Sequence, residues 1–316
     1  MFRETLLQSE LWKNYQEKNG RICVKGNFGL AIIESLPIVG KYLYVPRGPL
    51  VSTEQTKEEL MHIAQEHNAG WIRVEPGNEE ELTMLRSGAK EYHSVSAPHT
   101  VQPQEILVVN IENAESELLA QMKSKTRYNI RLAEKRGVTV RFSRATEDVE
   151  AFISLIYATT RRKEIRPHPK QYYQNFFAVF NETVCTLALA EYQGKVLAAN
   201  LLVFFEDTAY YLHGGSSDTG KNLMAPFLLQ WESIKLAKER GMKQYNFGGV
   251  HTLATNHTSR PVNSDWVGIT RFKQGFAPNA STLSFPGTYD IIISPIQYGL
   301  YRIIRFGQKI KNLLSL

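Results

Sequence analysis

The clearest pattern along this chain is an alternation of apolar segments and short polar turns in its middle third. Pro226 suits the first turn of a helix over 225–240, Gly241 suits the position after its end, and a strand follows over 244–247. Before this helix, three strands of an antiparallel meander are predicted over 184–192, 196–205 and 208–213. Meander, helix and strand is the order expected of a GNAT-type acyltransferase.

The N-terminal part of the chain repeats this order without repeating the residues. A helix is predicted over 53–68 and a strand over 70–75. Three earlier strands are predicted over 22–25, 30–36 and 41–45. The sequence therefore predicts the α/β (α+β) class, with two similar units in tandem, each a mixed sheet flanked by helices.

A polar stretch with two prolines, 94–104, is predicted to link the two units. The second unit then begins with a strand over 106–111. One long helix is predicted over 112–136, with an acidic start, a basic end and Gly137 as its stop.

Composition is that of an ordinary globular protein of two-domain size, with 316 residues, 43% hydrophobic and 22% charged. Cys23 and Cys185 lie in apolar strands and are predicted to be buried, reduced thiols. The N-terminus lacks a signal-peptide pattern, and no apolar run approaches the ~20 residues that span a bilayer. We therefore expect a cytoplasmic protein.

The net charge of +6 is compatible with a polyanionic partner, and its placement is more informative than its size. Cations cluster in the predicted helix 112–136, where closely spaced side chains can neutralise successive phosphates. Tyr128 offers a stacking face among them. A solvated helix face is the alternative interpretation. The candidate RNA-binding cations are Lys123, Lys125, Arg127 and Arg131.

Two further segments carry candidate chemistry. The glycine- and serine-rich stretch 214–220 precedes a helix and could bind an anion, or could simply allow tight packing. It lacks the spacing of the pyrophosphate-binding fingerprint of acetyl-CoA enzymes, which argues against coenzyme A. In the aromatic, glycine-containing stretch 268–276, Lys273 is either a functional cation or a surface residue.

Four segments resemble, in the same order, the Fem family of peptidoglycan bridge-forming aminoacyltransferases. They read KTRYNIRLAEKRGV (125–138), APFLLQWESIKLAKERGMKQYNFGGV (225–250), FKQGF (272–276) and FPGTYDIIISPIQYGLYRII (285–304). The chain is similar to the short members that lack a helical arm. The resemblance implies two GNAT-like domains: 1–103 plus 275–316, which would bind the precursor, and 104–274, which would face aminoacyl-tRNA.

The resemblance also implies the reaction. An aminoacyl-tRNA would donate glycine, alanine or serine to the stem-peptide amine of lipid II or of UDP-MurNAc-pentapeptide, without a metal or another cofactor and without DNA. Lys273 matches the family lysine that would stabilise negative charge on the ester oxygen, and Phe272 matches the aromatic residue beside it. Glu75 matches an acidic position that could accept a proton, or it could simply pair with Arg73.

Precursor binding is implied for five residues: Arg47, Arg166, His168, Tyr172 and His213. His168 replaces a family arginine, which leaves open whether the acceptor is linked to a nucleotide or to a lipid. The C-terminal stretch 298–316 is apolar on one helical face and basic elsewhere, so it either packs on the first domain or docks weakly on the inner face of the plasma membrane. The alternative functions are an acyl-CoA-dependent N-acyltransferase and a non-catalytic RNA-binding protein.

Overall fold

A computed structural model describes residues 5–51, 53–86, 94–163, 166–251 and 264–314, including the side chains of these ranges except 264–266 and 308–314. The elements, in chain order, are α1 (Glu10–Lys18), β1 (Ile22–Gly26), β2 (Gly29–Leu36), β3 (Gly40–Val45), α2 (Glu54–Glu66), β4 (Ala69–Val74), α3 (Glu79–Arg86), β5 (Ser94–Ser96), β6 (Glu105–Asn110), α4 (Glu115–Gln121), α5 (Ser124–Lys135), β7 (Thr139–Ser143), α6 (Thr146–Arg162), α7 (Lys170–Val179), β8 (Cys185–Tyr192), β9 (Lys195–Phe205), β10 (Thr208–Ser216), α8 (Ala225–Glu239), β11 (Gln244–Gly249), α9 (Ser264–Phe276), β12 (Thr282–Ser284), β13 (Tyr289–Ile292) and α10 (Pro295–Leu314).

The chain forms two compact units. Unit 1 comprises Met1–Gln104 and Ser284–Leu316, and unit 2 comprises Glu105–Leu283. The predicted boundary at 274/275 falls inside α9, which continues to Phe276 because that side chain is buried in the core of unit 2. Each unit is a mixed sheet with helices packed on it, so the predicted α/β class with tandem GNAT-like domains is confirmed.

Unit 1 contains a six-stranded sheet in the order β1-β2-β3-β4-β13-β5. The late strand β13 is inserted antiparallel between β4 and β5. At its centre Arg73 donates two hydrogen bonds to Asp290, with Nε–Oδ1 and Nη2–Oδ2 distances of 2.7 and 2.8 Å. Both side chains are buried, and a buried charge of this kind is tolerated because it is paired.

Unit 2 contains a seven-stranded sheet in the order β12-β6-β11-β10-β9-β8-β7. The predicted meander is β8, β9 and β10, which pair antiparallel. Helix α8 packs on this sheet through an apolar face that includes Leu228, Trp231 and Ile234. Near-continuous apolar runs on β8 and β9, which are buried along most of their length, and the helical spacing of the apolar residues on α8 account for this layer.

Three predictions of local structure were wrong. The helix predicted over 112–136 is broken at Met122 and Lys123, which have extended backbone, so α4 and α5 are separate. The first residues of the predicted linker 94–104 form β5. The residues 214–216 belong to β10 rather than to a turn, and the chain reaches α8 only after a short 3₁₀ helix, Lys221–Leu223.

Both cysteines are free thiols, with Cys185 buried as predicted and Cys23 only partly buried. Within the described residues, no helix is both long and apolar enough to cross a lipid bilayer.

Candidate active site

A cavity of about 590 Å³ opens in unit 2 where two parallel strands separate. β10 and β11 pair only at their first three positions, which end at Tyr210 and Asn246. Beyond that point both strands are irregular against their outer neighbours, with register shifts between Tyr211 and His213 and between Asn246 and Gly249. Because the ladder between the strands stops here, a gap opens in the middle of the sheet.

Lys273 lies at the wall of this cavity. The side chain of Lys273, which belongs to α9, is buried. Its Nζ donates a hydrogen bond of 2.6 Å to the carbonyl oxygen of Gly249. Burial, together with the positive charge of Lys163, lowers the pKa of Lys273 to about 7. The amine can therefore be charged or neutral near neutral pH, and a bound negative charge would favour its protonated form.

The described lining of the cavity is cationic. Arg162 and Lys163, at the end of α6, join Lys273, and the lining includes no described acidic side chain. Arg162 is held by a 3.0 Å ion pair between Nη1 and Oδ1 of Asp218. A cavity of this charge favours an anionic group or an oxygen that becomes negative during a reaction.

Hydrogen-bonded amides line another part of the cavity. Asn200 Nδ2 donates to Gln230 Oε1 at 3.1 Å, and Gln230 Nε2 donates to the Tyr245 hydroxyl at 2.7 Å. Asn200 and Gln230 line the cavity, whereas Tyr245 is fully buried behind them. These bonds fix the positions of both amides and prepare a polar surface for a bound group.

Phe272 also lines the cavity, as an apolar wall beside Lys273. Its ring packs edge-on against Phe227 and Phe276, with centroid distances of 5.1 and 5.3 Å. The structure thus brings the two predicted residues of α9 together on one cavity.

Three of the predicted precursor-binding residues lie together, and one of them lines the cavity. The rings of His168 and Tyr172 are stacked with their centroids 4.0 Å apart, and each lies 6.1 Å from the ring of His213, which lines the cavity. Burial and the neighbouring charge of His168 lower the pKa of His213 to about 4. His213 is therefore neutral at pH 7 and offers a ring surface rather than a positive charge. Arg166 is exposed just before α7.

The predicted RNA-binding cations belong to α5 and the residue that precedes it. Lys123, Lys125 and Arg131 are exposed. Arg127 donates a 3.1 Å hydrogen bond to the carbonyl oxygen of Ala120 and a second hydrogen bond to that of Met122, so it closes the end of α4. The exposed cations of α5 therefore offer the phosphate-binding surface of this helix.

Glu75 and Arg47 lie in unit 1, and both are buried there. Glu75 accepts hydrogen bonds from the Tyr44 and Thr288 hydroxyls at 2.9 and 3.2 Å, and from the backbone nitrogens of Gln102 and Arg47 at 2.8 and 3.3 Å. The alternative pairing of Glu75 with Arg73 is wrong, because Arg73 binds Asp290.

The guanidinium of Arg47 lies 3.8 Å from the centre of the Phe285 ring and donates a 2.8 Å hydrogen bond to the carbonyl oxygen of Pro103. Its internal contacts, like those of Glu75, hold loops of unit 1 in place. The catalytic role of Glu75 and the precursor-binding role of Arg47 stay predictions.

Sequence reasoning missed several cavity residues: Arg162, Lys163, Tyr211, Asn200 and Gln230. The basic run at the end of α6 could have identified Arg162 and Lys163. Tyr211 could have been found because it lies two residues before His213 on the same strand. Asn200 and Gln230 gave no such signal, because a polar residue inside a strand or helix can be assigned to a site only once its neighbours in space are known. Among the described residues, no cluster of His, Cys, Asp and Glu could bind a metal ion.

The FemAB family model matches residues 62–195 and 187–305 of this chain. The UDP-N-acetylmuramoylpentapeptide-lysine N(6)-alanyltransferase of Weissella viridescens is 26% identical over 55% of this chain and 48% of its own length. The lipid II:glycine glycyltransferase of Staphylococcus epidermidis is 22% identical over 95% of this chain and 91% of its own. The crystal structure of FemX has the same fold, with a TM-score of 0.74 and 20% identity over 93% of this chain and 94% of that one. The chain belongs to the FemAB family.

Proposed function

We propose that this protein is an aminoacyltransferase that adds an amino acid to the stem-peptide amine of a peptidoglycan precursor, with aminoacyl-tRNA as the donor. The observation that carries the proposal is the buried Lys273 at the wall of a cationic cavity, in a chain of the FemAB family. The names of the relatives support the reaction class, because they transfer alanine or glycine to UDP-N-acetylmuramoylpentapeptide-lysine or to lipid II.

The chemistry is aminolysis of an ester. The neutral acceptor amine attacks the ester carbonyl carbon, a C–N bond forms, and the C–O bond to the ribose breaks. The ribose oxygen leaves with the bonding electron pair and takes up the proton that the amine loses. The protonated Lys273 would stabilise the negative charge on the carbonyl oxygen, an effect worth about 3–4 kcal/mol at comparable sites.

The donor is proposed from the exposed cations of α5. Lys123, Lys125 and Arg131 offer positive charge to a phosphate backbone, and Tyr128, which is 62% exposed, can stack on a base. The hydrogen bond from Lys123 N to the carbonyl oxygen of Gly275 ties this surface to the helix that carries Lys273. RNA bound on α5 could therefore place its 3′ end in the cavity.

The acceptor is proposed to lie against the rings of His168, Tyr172 and His213, with the exposed Arg166 supplying charge for its phosphates. Aromatic faces of this kind bind planar or sugar rings. Both lipid II and UDP-MurNAc-pentapeptide present these groups, and either would place the reaction in the cytoplasm or at the inner face of the plasma membrane.

The test is transfer of a radiolabelled amino acid from charged tRNA to lipid II and, separately, to UDP-MurNAc-pentapeptide. We expect label on one of them, loss of transfer in Lys273→Ala, and normal transfer in Lys195→Ala, which removes an exposed lysine at the start of β9. Folded protein that labels neither acceptor would contradict the proposal. Acyl transfer from coenzyme A thioesters, or tRNA binding without transfer, would then identify which alternative function holds.

A further inference from the structure

Helix α10 has two apolar faces, and unit 1 uses only one of them. On the inner face, the rings of Tyr298 and Tyr301 pack against Trp71, with centroid distances of 5.6 and 4.7 Å. The Tyr298 hydroxyl also donates a 2.9 Å hydrogen bond to Asp290. These contacts fix the helix on its unit, so the direction of its outer face is fixed as well.

The outer face carries four large apolar side chains spaced four, three and three residues apart, which places them on one side of a helix. They form what we call the apolar stripe: Ile296, Leu300, Ile303 and Phe306, with exposed fractions of 86%, 36%, 71% and 66%. Isolated exposed apolar residues are ordinary, but a continuous row is not, since it keeps apolar area in water along three turns of helix.

A second exposed apolar group lies on the neighbouring element. Ile38, at the turn between β2 and β3, is 88% exposed and has a positive φ of 71°. The turn lies beside α10, because Val39 packs in the same cluster as Tyr298, and a Cβ on Gly40 would lie 2.9 Å from Nε2 of Gln297. The two most exposed large apolar side chains of the described residues, Ile38 and Ile296, are therefore on adjacent elements of unit 1.

The charges of α10 indicate the occupant of this face. The helix sequence contains Arg302, Arg305, Lys309 and Lys311 and no acidic residue. The α10 helix of a second copy, packed stripe to stripe, would offer no acidic side chain to the exposed Arg302. An anionic bilayer instead offers an apolar layer for the stripe and negative headgroups for the cations, which is the pattern of a helix that lies in the membrane interface.

We propose that α10 docks unit 1 on an anionic lipid bilayer, with the apolar stripe at the boundary of the acyl chains and the exposed Arg302, which precedes Ile303, among the headgroups. The proposal goes beyond the reaction and does not depend on it, since it concerns only the surface of unit 1. Docking would hold the protein at the membrane surface without a spanning segment.

The experiment is co-sedimentation of the full chain with vesicles of phosphatidylglycerol and phosphatidylcholine in equal parts, and with vesicles of phosphatidylcholine alone. We expect binding to the anionic vesicles that weakens with added NaCl. The double substitution Ile303→Ser and Phe306→Ser should weaken it by roughly tenfold or more. The control Ile22→Ser, which removes a 52% exposed isoleucine elsewhere on unit 1, should bind as the wild type does.

The stripe is exposed, so the double variant should fold with an unchanged Tm. The proposal is overturned if the wild type does not bind anionic vesicles, or if the double variant binds them equally well. It is also overturned if sedimentation velocity shows a dimer that the double variant converts to monomer, because the stripe is then a contact between copies. Vesicle binding needs no substrate, so failure of the transfer assay leaves this test unaffected.

Discussion

The backbone nitrogen of Lys123 donates a hydrogen bond to the carbonyl oxygen of Gly275, with 2.9 Å between the two atoms. Lys123 precedes α5, and Gly275 follows Lys273 by two residues on α9. The bond therefore joins the basic helix to the helix that supplies the buried lysine of the cavity. A Cβ on Gly275 would overlap Oγ1 of Thr126, so the two helices also approach closely at this point.

This close approach predicts opposite effects for the same substitution at two glycines of α9. Gly275→Ala should lower the free energy of unfolding by about 1–3 kcal/mol, because the added methyl group displaces Thr126. Gly268→Ala, where no described atom beyond the helix's own backbone lies within 4 Å of the new Cβ, should raise it by up to about 1 kcal/mol through helix propensity. Urea unfolding of both variants measures the difference, and equal effects would contradict the contact.

The exposed cations of α5 should contribute to RNA binding through phosphates. Replacing Lys123, Lys125 and Arg131 together by glutamine should weaken tRNA binding and reduce the slope of log K against log[salt] by roughly two. Filter binding across a series of NaCl concentrations measures this slope. Lys195→Gln, which removes an exposed lysine outside α5, is the control for loss of a positive charge, and an unchanged slope in the triple variant would place the tRNA on another surface.

The low pKa of Lys273 predicts an unusual dependence of transfer on pH. The neutral fraction of an acceptor lysine amine rises about tenfold per pH unit up to its pKa of ~10.4. The protonated fraction of Lys273, whose pKa is about 7, falls at the same rate above pH 7. If the protonated form stabilises the transition state, the single-turnover rate should rise below pH 7 and stay level between pH 7 and 8.5.

The matched variant is Lys273→Arg, because arginine stays protonated across this range. Whatever its absolute rate, its transfer should continue to rise about tenfold per pH unit through pH 8.5. If the wild-type rate itself rises in that way between pH 7 and 8.5, Lys273 does not act as a cation in the rate-limiting step.

The contacts of Glu75 predict a structural effect on replacement. Glu75→Gln substitutes an NH₂ group for one oxygen that accepts hydrogen bonds from buried donors, so the free energy of unfolding should fall by about 1–3 kcal/mol. At saturating substrates and at a temperature where the variant is folded, kcat should stay within about threefold of the wild type. A loss of kcat of a hundredfold or more with unchanged stability would instead support Glu75 as the general base.

Much of unit 2 could be predicted from the sequence because its signals are local. Near-continuous apolar runs separated by a short polar turn mark β8 and β9, and Pro226 and Gly241 mark the ends of α8. No local residue pattern marks the break between α4 and α5. It depends on the burial of Met122 and on the bond from Lys123 N to Gly275, which lies about 150 positions further along the chain.

The candidate site was predictable only in part for the same reason. The resemblance identified Lys273 and Phe272, but the cavity that they line exists because β10 and β11 stop pairing after Tyr210 and Asn246. The separation of the two strands depends on their backbone pairing, and no pattern of residue types in the sequence indicates it. The buried pair of Arg73 and Asp290 could not be predicted from local sequence patterns either, because the two residues are 217 positions apart.

The insertion of β13 between β4 and β5 has a consequence for synthesis on the ribosome. The residues of unit 2 are complete at Leu283 and can collapse as soon as they emerge. The sheet of unit 1, whose first residues emerge earliest, must keep a place open between β4 and β5 until Tyr289–Ile292 arrive. During that interval Arg73 has no Asp290 to pair with, so its charge must stay hydrated. The first unit to be translated is thus the last to be finished.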